Sequence, residues 1–232
     1  MKNKVMVSLF ECEGINEELY NNARCFVTED RLKKTDNLVE YGDRVLSVMS
    51  EFILLYYLHT YYGIYVSKFS KNYMGKPYMA NDEFIKFNIS HTQNIVSVAI
   101  SEQNIGIDVE TSLSVTKKQI IQLMDFCFSE KEKNYVNYDK SGYKQRFFEV
   151  WTRREAYFKC LGCGLLIKNN KKEISEDFYF IGIQHKNYTI SVCSEQDMNV
   201  ELHLIDAQTI QDMLNAMQVY YFSPKTTLGK EI

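Results

Sequence analysis

The sequence predicts a mixed α/β fold of the α+β kind, built as two similar lobes related by a pseudo-twofold, each a small sheet packed with a long helix. Three observations predict it. Short runs of strand-like residues alternate with helical apolar patterns along the whole chain. Two of the helical patterns are long, and each is entered by an arginine (Arg44, Arg146) and closed by a glycine (Gly63, Gly162). The two arginines lie 102 positions apart, near half of the 232 residues. Finally, a chain that is 45% hydrophobic, 14% aromatic and 25% charged can bury one large core or two smaller ones.

The elements follow in order. Residues 5–10 read as a first strand. Glu17 to Cys25 reads as a short helix, and Thr28 is placed to cap another beginning near Glu29. Asp43 to Tyr62 carries a wide apolar face (Val45, Leu46, Met49, Phe52, Ile53, Tyr56), with Gly63 where a C-terminal glycine belongs. A turn at Gly75-Lys76-Pro77 precedes two strands, 84–89 and 95–100, with Ser90-His91-Thr92 at the corner between them. Ile105 to Glu110 is a further strand. Ser129 and Glu132 have the form of a capping box. Arg146 to Leu161 is a long helix that includes Trp151, the single tryptophan. Strands at 178–184, 188–193 and 200–205 and a last helix from Asp206 to about Met217 complete the pattern; the final segment shows none. A boundary between the lobes is expected near residue 104, giving lobes of 1–104 and 105–232.

Composition excludes several classes. A net charge of −3 argues against a dedicated nucleic-acid binder. The longest apolar stretch, Phe52 to Leu58, falls far short of the roughly 20 residues a membrane helix needs. The start, Met1-Lys2-Asn3-Lys4 followed by a short apolar run that meets Glu11, reads as a strand rather than a leader. A cytoplasmic location is expected. Six cysteines follow no framework spacing; Cys160 and Cys163 form a single CxxC with no second pair to complete a zinc site, so packed, reduced thiols are expected.

Three segments carry chemistry. In Ile105-Gly106-Ile107-Asp108-Val109-Glu110, a strand sends Asp108 and Glu110 to one face. Two adjacent carboxylates repel, and a hard divalent cation would relieve that repulsion; an exposed face with two solvated acids is the other reading. In Trp151-Thr152-Arg153-Arg154-Glu155-Ala156-Tyr157-Phe158-Lys159, Glu155 and Lys159 are helical i, i+4 neighbours. That spacing also describes an ordinary surface pair, but the apolar residues around it argue for burial. In the third, Gly75-Lys76-Pro77 supplies a cation on a rigid turn, and the hydroxyls and imidazole of Ser90-His91-Thr92 can hold a phosphate.

Taken together, GKP, FNISHT, IGIDVE and WTRREAYFK, in this order between residues 75 and 159, resemble the Sfp-type 4′-phosphopantetheinyl transferase family, whose usual pattern is GKP, FNxSH, GxDxE and WxxKEAxxK. The resemblance implies that family's two-lobed fold and the Mg²⁺-dependent transfer of phosphopantetheine from coenzyme A to a serine of an apo carrier protein, of acyl, peptidyl or aryl type, with 3′,5′-ADP released. It implies that Asp108, Glu110 and Glu155 hold Mg²⁺ (or Mn²⁺), that Lys159 contacts the pyrophosphate, and that Ser90 and His91 bind phosphate. Gly75, Lys76 and Pro77 would line the nucleotide end, and Arg44 with the cluster Arg31, Lys33 and Lys34 would meet the 3′-phosphate. Arg154 stands where the family usually has lysine, a forked donor in place of a compact ammonium, and is expected against phosphate. Glu155 is the candidate base, or a metal ligand only. The region from Gly106 to Phe148, with Phe126, Phe128 and the helix after Ser129, would dock the carrier unless those aromatics are core. A monomer serving secondary metabolism is implied, with no membrane or nucleic-acid partner. Two other classes compete: a coenzyme A-binding module without catalysis, and a metal-dependent phosphohydrolase. The three retained carboxylates argue against the first, and GKP with SHT against the second.

Overall fold

The computed structural model describes residues 2–65, 67–113, 115–139, 141–163 and 173–222, the last three as backbone only. The elements run β1 (Asn3–Glu11), α1 (Glu17–Arg24), α2 (Glu29–Asp36), α3 (Tyr41–Tyr62), β2 (Phe69–Lys71), β3 (Pro77–Met79), β4 (Lys86–Thr92), β5 (Ile95–Ser101) and β6 (Ile105–Thr111). Then come α4 (Lys117–Cys127), α5 (Glu130–Val136), α6 (Tyr143–Leu161), β7 (Tyr179–His185), β8 (Tyr188–Ser194), β9 (Met198–Ile205) and α7 (Ala207–Phe222). The segment after residue 222, where the sequence shows no pattern, lies outside the described residues.

Local chemistry accounts for most boundaries. The Asn16 and Thr28 side chains accept the orphan N–H groups that open α1 and α2. Thr116 with Gln119, and Ser129 with Glu132, form reciprocal capping boxes on α4 and α5. Gly63 and Gly162 close α3 and α6 in the left-handed conformation, at φ 66° and 72°. Two elements differ from expectation. Ser90, His91 and Thr92 lie within β4, because the turn to β5 falls later, at Gln93-Asn94, with Gln93 at φ 42°. The hairpin β2–β3, with three residues per strand, is too short to show a period, and helix α4 lies outside the expected elements although Ile120, Leu123, Met124 and Cys127 repeat at helical spacing behind a capping box at Thr116.

Two sheets form the molecule's centre. One has the order β4-β5-β1-β9, with β1 antiparallel to β5 and parallel to β9. The other has the order β6-β8-β7, all antiparallel. Val5, Val7 and Leu9 of β1, Ile95 and Ala99 of β5, Ile105, Ile107 and Val109 of β6, and Ile190 and Val192 of β8 are buried together between the sheets. A larger core lies on the outer face of the first sheet, where α1, α3 and α7 meet the alternate side chains Met6, Phe10, Val96, Val98 and Ile100. Helix α6 packs on the outer face of the second sheet. Each sheet thus carries one long helix, as the paired sequence patterns predict, although the sheets differ in strand number. The chain passes from the first sheet to the second between β5 and β6. It then crosses back: β9 extends the first sheet, and Ile205, Ile210, Met213, Leu214 and Met217 complete the first lobe's core.

Candidate active site at the junction of the lobes

Strand β4 of the first sheet runs beside β6 of the second, and side chains join them. The Asn88 carboxamide oxygen accepts from the Ile107 N–H at 2.9 Å, and the Ser90 hydroxyl donates to Asp108 Oδ1 at 2.9 Å. The Thr92 hydroxyl donates to Glu110 Oε2 at 3.3 Å. The strand period places Ile105, Ile107 and Val109 in the core between the sheets and turns Gly106, Asp108 and Glu110 toward α6.

Gly106 sets the spacing of this layer. A Cβ there would stand 1.9 Å from the Ala156 carbonyl oxygen and 2.5 Å from the Cys160 nitrogen. Only the absence of a side chain lets the α6 backbone lie on the strand. This close approach carries Glu155 and Lys159 to the two carboxylates of β6.

Lys159 Nζ donates to Asp108 Oδ1 at 2.6 Å and to the Ser90 hydroxyl at 2.8 Å. Asp108 is 4% exposed, and its second oxygen, Oδ2, is buried without a hydrogen-bond partner among the described residues. Burial raises the Asp108 pKa, against the opposing pull of Lys159 and Ser90. Burial and then the Asp108 charge raise that of Glu110, which also accepts a hydrogen bond from the Trp151 side chain. Glu155 is pushed up to about 7, first by burial and then by Asp108, with Glu110 adding to it and Lys159 opposing. Three carboxylates therefore feel one another across the layer.

As they lie, no three His, Cys, Asp or Glu side chains among the described residues are grouped so as to hold a metal ion. The chemistry of the set nonetheless fits a hard divalent cation: all-oxygen donors, a buried carboxylate oxygen with nothing to bond, and mutual repulsion that a cation removes.

A basic group lies beside the carboxylates. The His91 imidazole, exposed at the end of β4, is held below its ordinary pKa by partial desolvation and then by the charges of Lys34, Lys159 and Arg31. Lys34 is lowered in turn by burial, Arg31 and Lys71. Cations converging this way form an anion-binding surface. Arg31 is oriented by Glu51, at 2.8 Å. Lys33 stays apart, exposed and 3.9 Å from Glu29. Arg44 Nε donates to the Leu38 carbonyl at 2.8 Å, fastening the loop between α2 and α3.

Several expected site residues are placed differently. Arg154 faces away from the carboxylates: it is fully buried, and its Nη1 donates to both carboxylate oxygens of Glu132 at 2.9 and 3.0 Å. Arg153 and Arg154 project a helical step from Glu155, so Arg154 meets α5 rather than a phosphate. Lys76 is turned inward, with Nζ donating to the backbone carbonyls of Ile105 and Cys160 at 3.0 and 3.1 Å. Gly75, at φ 89°, shapes the turn that sends it there. Phe128 is core, stacked on Phe147 at 5.4 Å, whereas Phe126 is 58% exposed. Cys160 is buried against Cys193, consistent with a packed thiol.

Trp151 and Gly106 stood inside quoted motifs, so their positions were visible while their roles as partner and spacer were not. The Thr92 hydroxyl, expected toward phosphate, bonds Glu110. Lys71 gave no signal, since it depends on how the hairpin folds back.

The family model for the 4′-phosphopantetheinyl transferase superfamily matches residues 104–209, a span that contains Asp108, Glu110, Glu155 and Lys159. Among curated relatives, the 4′-phosphopantetheinyl transferase gsp of Aneurinibacillus migulanus is 30% identical over 159 residues, covering 67% of this chain and 65% of that protein. The 4′-phosphopantetheinyl transferase Sfp of Bacillus subtilis is 25% identical, covering 65% of this chain and 67% of that protein. The L-aminoadipate-semialdehyde dehydrogenase-phosphopantetheinyl transferase of Saccharomyces cerevisiae is 25% identical, covering 56% and 50%. The chain thus spans between half and about two thirds of the length of these relatives.

Proposed function

We propose that the chain, which is similar to 4′-phosphopantetheinyl transferases over residues 104–209 and beyond, transfers the 4′-phosphopantetheine group of coenzyme A to a serine of an apo carrier protein. The observation that carries this reading is the layer of Asp108, Glu110 and Glu155 around Lys159, set beside the cations at His91. Carboxylates and cations packed side by side suit a substrate that brings both a metal and phosphates.

In this reading Lys34, Arg31, Lys71 and His91 bind the phosphates of coenzyme A, with Arg44 supporting the loop beneath them. Ser90 and Lys159 meet the pyrophosphate. Mg²⁺ or Mn²⁺, held by Asp108, Glu110 and Glu155, would supply charge neutralisation on the pyrophosphate. The carrier serine Oγ attacks the β-phosphorus, its bond to the oxygen of the nucleotide phosphate breaks, and 3′,5′-ADP leaves. Glu155, held near neutrality, accepts the serine proton. Lys159 donates to the oxygens on which charge accumulates. Thr92 and Trp151 hold Glu110 in position.

For the carrier, we favour α4 and the turn before it, where Leu113, Ile121 and Phe126 are each exposed. Incubating the protein with coenzyme A, Mg²⁺ and an apo acyl, peptidyl or aryl carrier tests the proposal. A carrier mass gain of one phosphopantetheine group is expected. Breakdown of coenzyme A without a carrier would indicate a phosphohydrolase, and binding without change a non-catalytic module; either would overturn it.

A further inference from the structure

The hairpin β2–β3 belongs to the first half of the chain, yet its tip is fastened to two elements of the second. Lys76 Nζ donates to the Ile105 carbonyl, at the start of β6, and to the Cys160 carbonyl, near the end of α6. Asn72 Nδ2 donates to the Gly162 carbonyl at 2.8 Å. The other end of the Asn72 amide organises the hairpin, with Oδ1 accepting from the N–H groups of Met74 and Lys76 at 3.0 and 2.9 Å.

These bonds meet an unmet need. The last carbonyls of a helix have no partner within it, and a cation at a helix C-terminus also faces the negative end of the helix dipole. Lys76 and Asn72 supply both from outside. Gly162 is fitted to them: a Cβ there would stand 2.8 Å from Asn72 Nδ2 and 3.4 Å from Lys76 Cδ. The carbonyls taken by Lys76 also adjoin the site. Ile105 precedes Gly106, the spacer on which α6 rests, and Cys160 follows Lys159, which bonds Asp108.

We infer that Lys76 and Asn72 are positioning residues, a clamp by which the hairpin fixes the last turn of α6 against β6 and so holds Lys159 and Glu155 in register with Asp108. This deepens the proposed transferase reading and assigns Lys76 to the geometry of the reacting groups rather than to the nucleotide. Both charge and length matter, since one ammonium spans two carbonyls on different elements. Arginine can still span them; methionine, of similar length, cannot bond either.

The test uses the full chain as Lys76→Met, Lys76→Arg and Asn72→Ala. Deuterium exchange without substrate should quicken about tenfold or more at the amides of residues 157–162 in Lys76→Met, stay unchanged in α3, and recover in Lys76→Arg. Unchanged exchange in residues 157–162 overturns the clamp. Should Lys76→Met unfold, Asn72→Ala, which removes the bond to Gly162 together with the two that organise the hairpin, carries the same test with the same two outcomes. In carrier assays, Lys76→Met should lower kcat about 10- to 100-fold with KM for coenzyme A within about threefold. A KM raised tenfold with kcat retained would make Lys76 a nucleotide contact and overturn the inference. If the unaltered protein modifies no carrier, the transferase reading fails, while the exchange result still decides the clamp.

Discussion

Burial among two other carboxylates holds Glu155 at about 7, against an ordinary 4.5, and the sign of that displacement has a measurable consequence. Between those values the folded protein keeps a proton that the unfolded chain has released, so stability falls as pH rises through this window. Glu155→Gln removes the titrating charge. In EDTA at pH 8 the variant should be more stable than the parent by about 1–2 kcal/mol, after allowing for partial solvent access. The gain should vanish near pH 4.5; thermal melts at both pH values check it. The same variant should lose transfer by at least about a hundredfold, because the serine proton then has no acceptor. Stability and activity are set against each other at one residue, as functional carboxylates commonly are.

At the scale of elements, two contacts fix α6. Against β6, Gly106→Ala forces a Cβ into the Ala156 carbonyl, and neither backbone can yield without moving Lys159 from Asp108. A loss of about 1–3 kcal/mol is expected from overpacking, and urea titration measures it; transfer should fall more steeply than stability. Against α5, the buried Arg154 pairs with the half-buried Glu132, which also caps α5. Arg154→Ala leaves that carboxylate unpaired in a cavity and should cost about 3–5 kcal/mol, with the KM for coenzyme A unaltered in whatever protein remains folded. Such contacts explain what the sequence could convey. Caps at Thr28 and Ser129, closing glycines at 63 and 162, and the alternation of 105–110 are local, and each was legible. The partners of Lys76 and Arg154 depend on how a three-residue strand pair and a seven-residue helix pack. Nothing in a local window separates an inward cation from one awaiting phosphate.

For the whole molecule, the junction of two sheets is what makes a site. Asp108 and Glu110 lie on one sheet, Ser90, His91 and Thr92 on the other, and the chain returns through β9 and α7 to brace the first lobe. Four spaced motifs pointed to the chemistry, and the fold explains why residues as far apart in the chain as Ser90 and Lys159, 69 positions, operate together. The return of the C-terminal strand was not legible, because a parallel pairing leaves no turn signal between its strands. In the proposed reading, metal dependence belongs to the assembled site: chelation by EDTA should abolish transfer, with Mg²⁺ or Mn²⁺ restoring it, and turnover indifferent to chelation would rule the metal out.

The central claim is transfer, and intact-mass measurement of an apo carrier incubated with coenzyme A, Mg²⁺ and this protein tests it most directly. The carrier should gain one phosphopantetheine group, on serine, with the parent chain and not with Asp108→Ala. A carrier of unchanged mass across acyl, peptidyl and aryl types, or equal gain with Asp108→Ala, would contradict it.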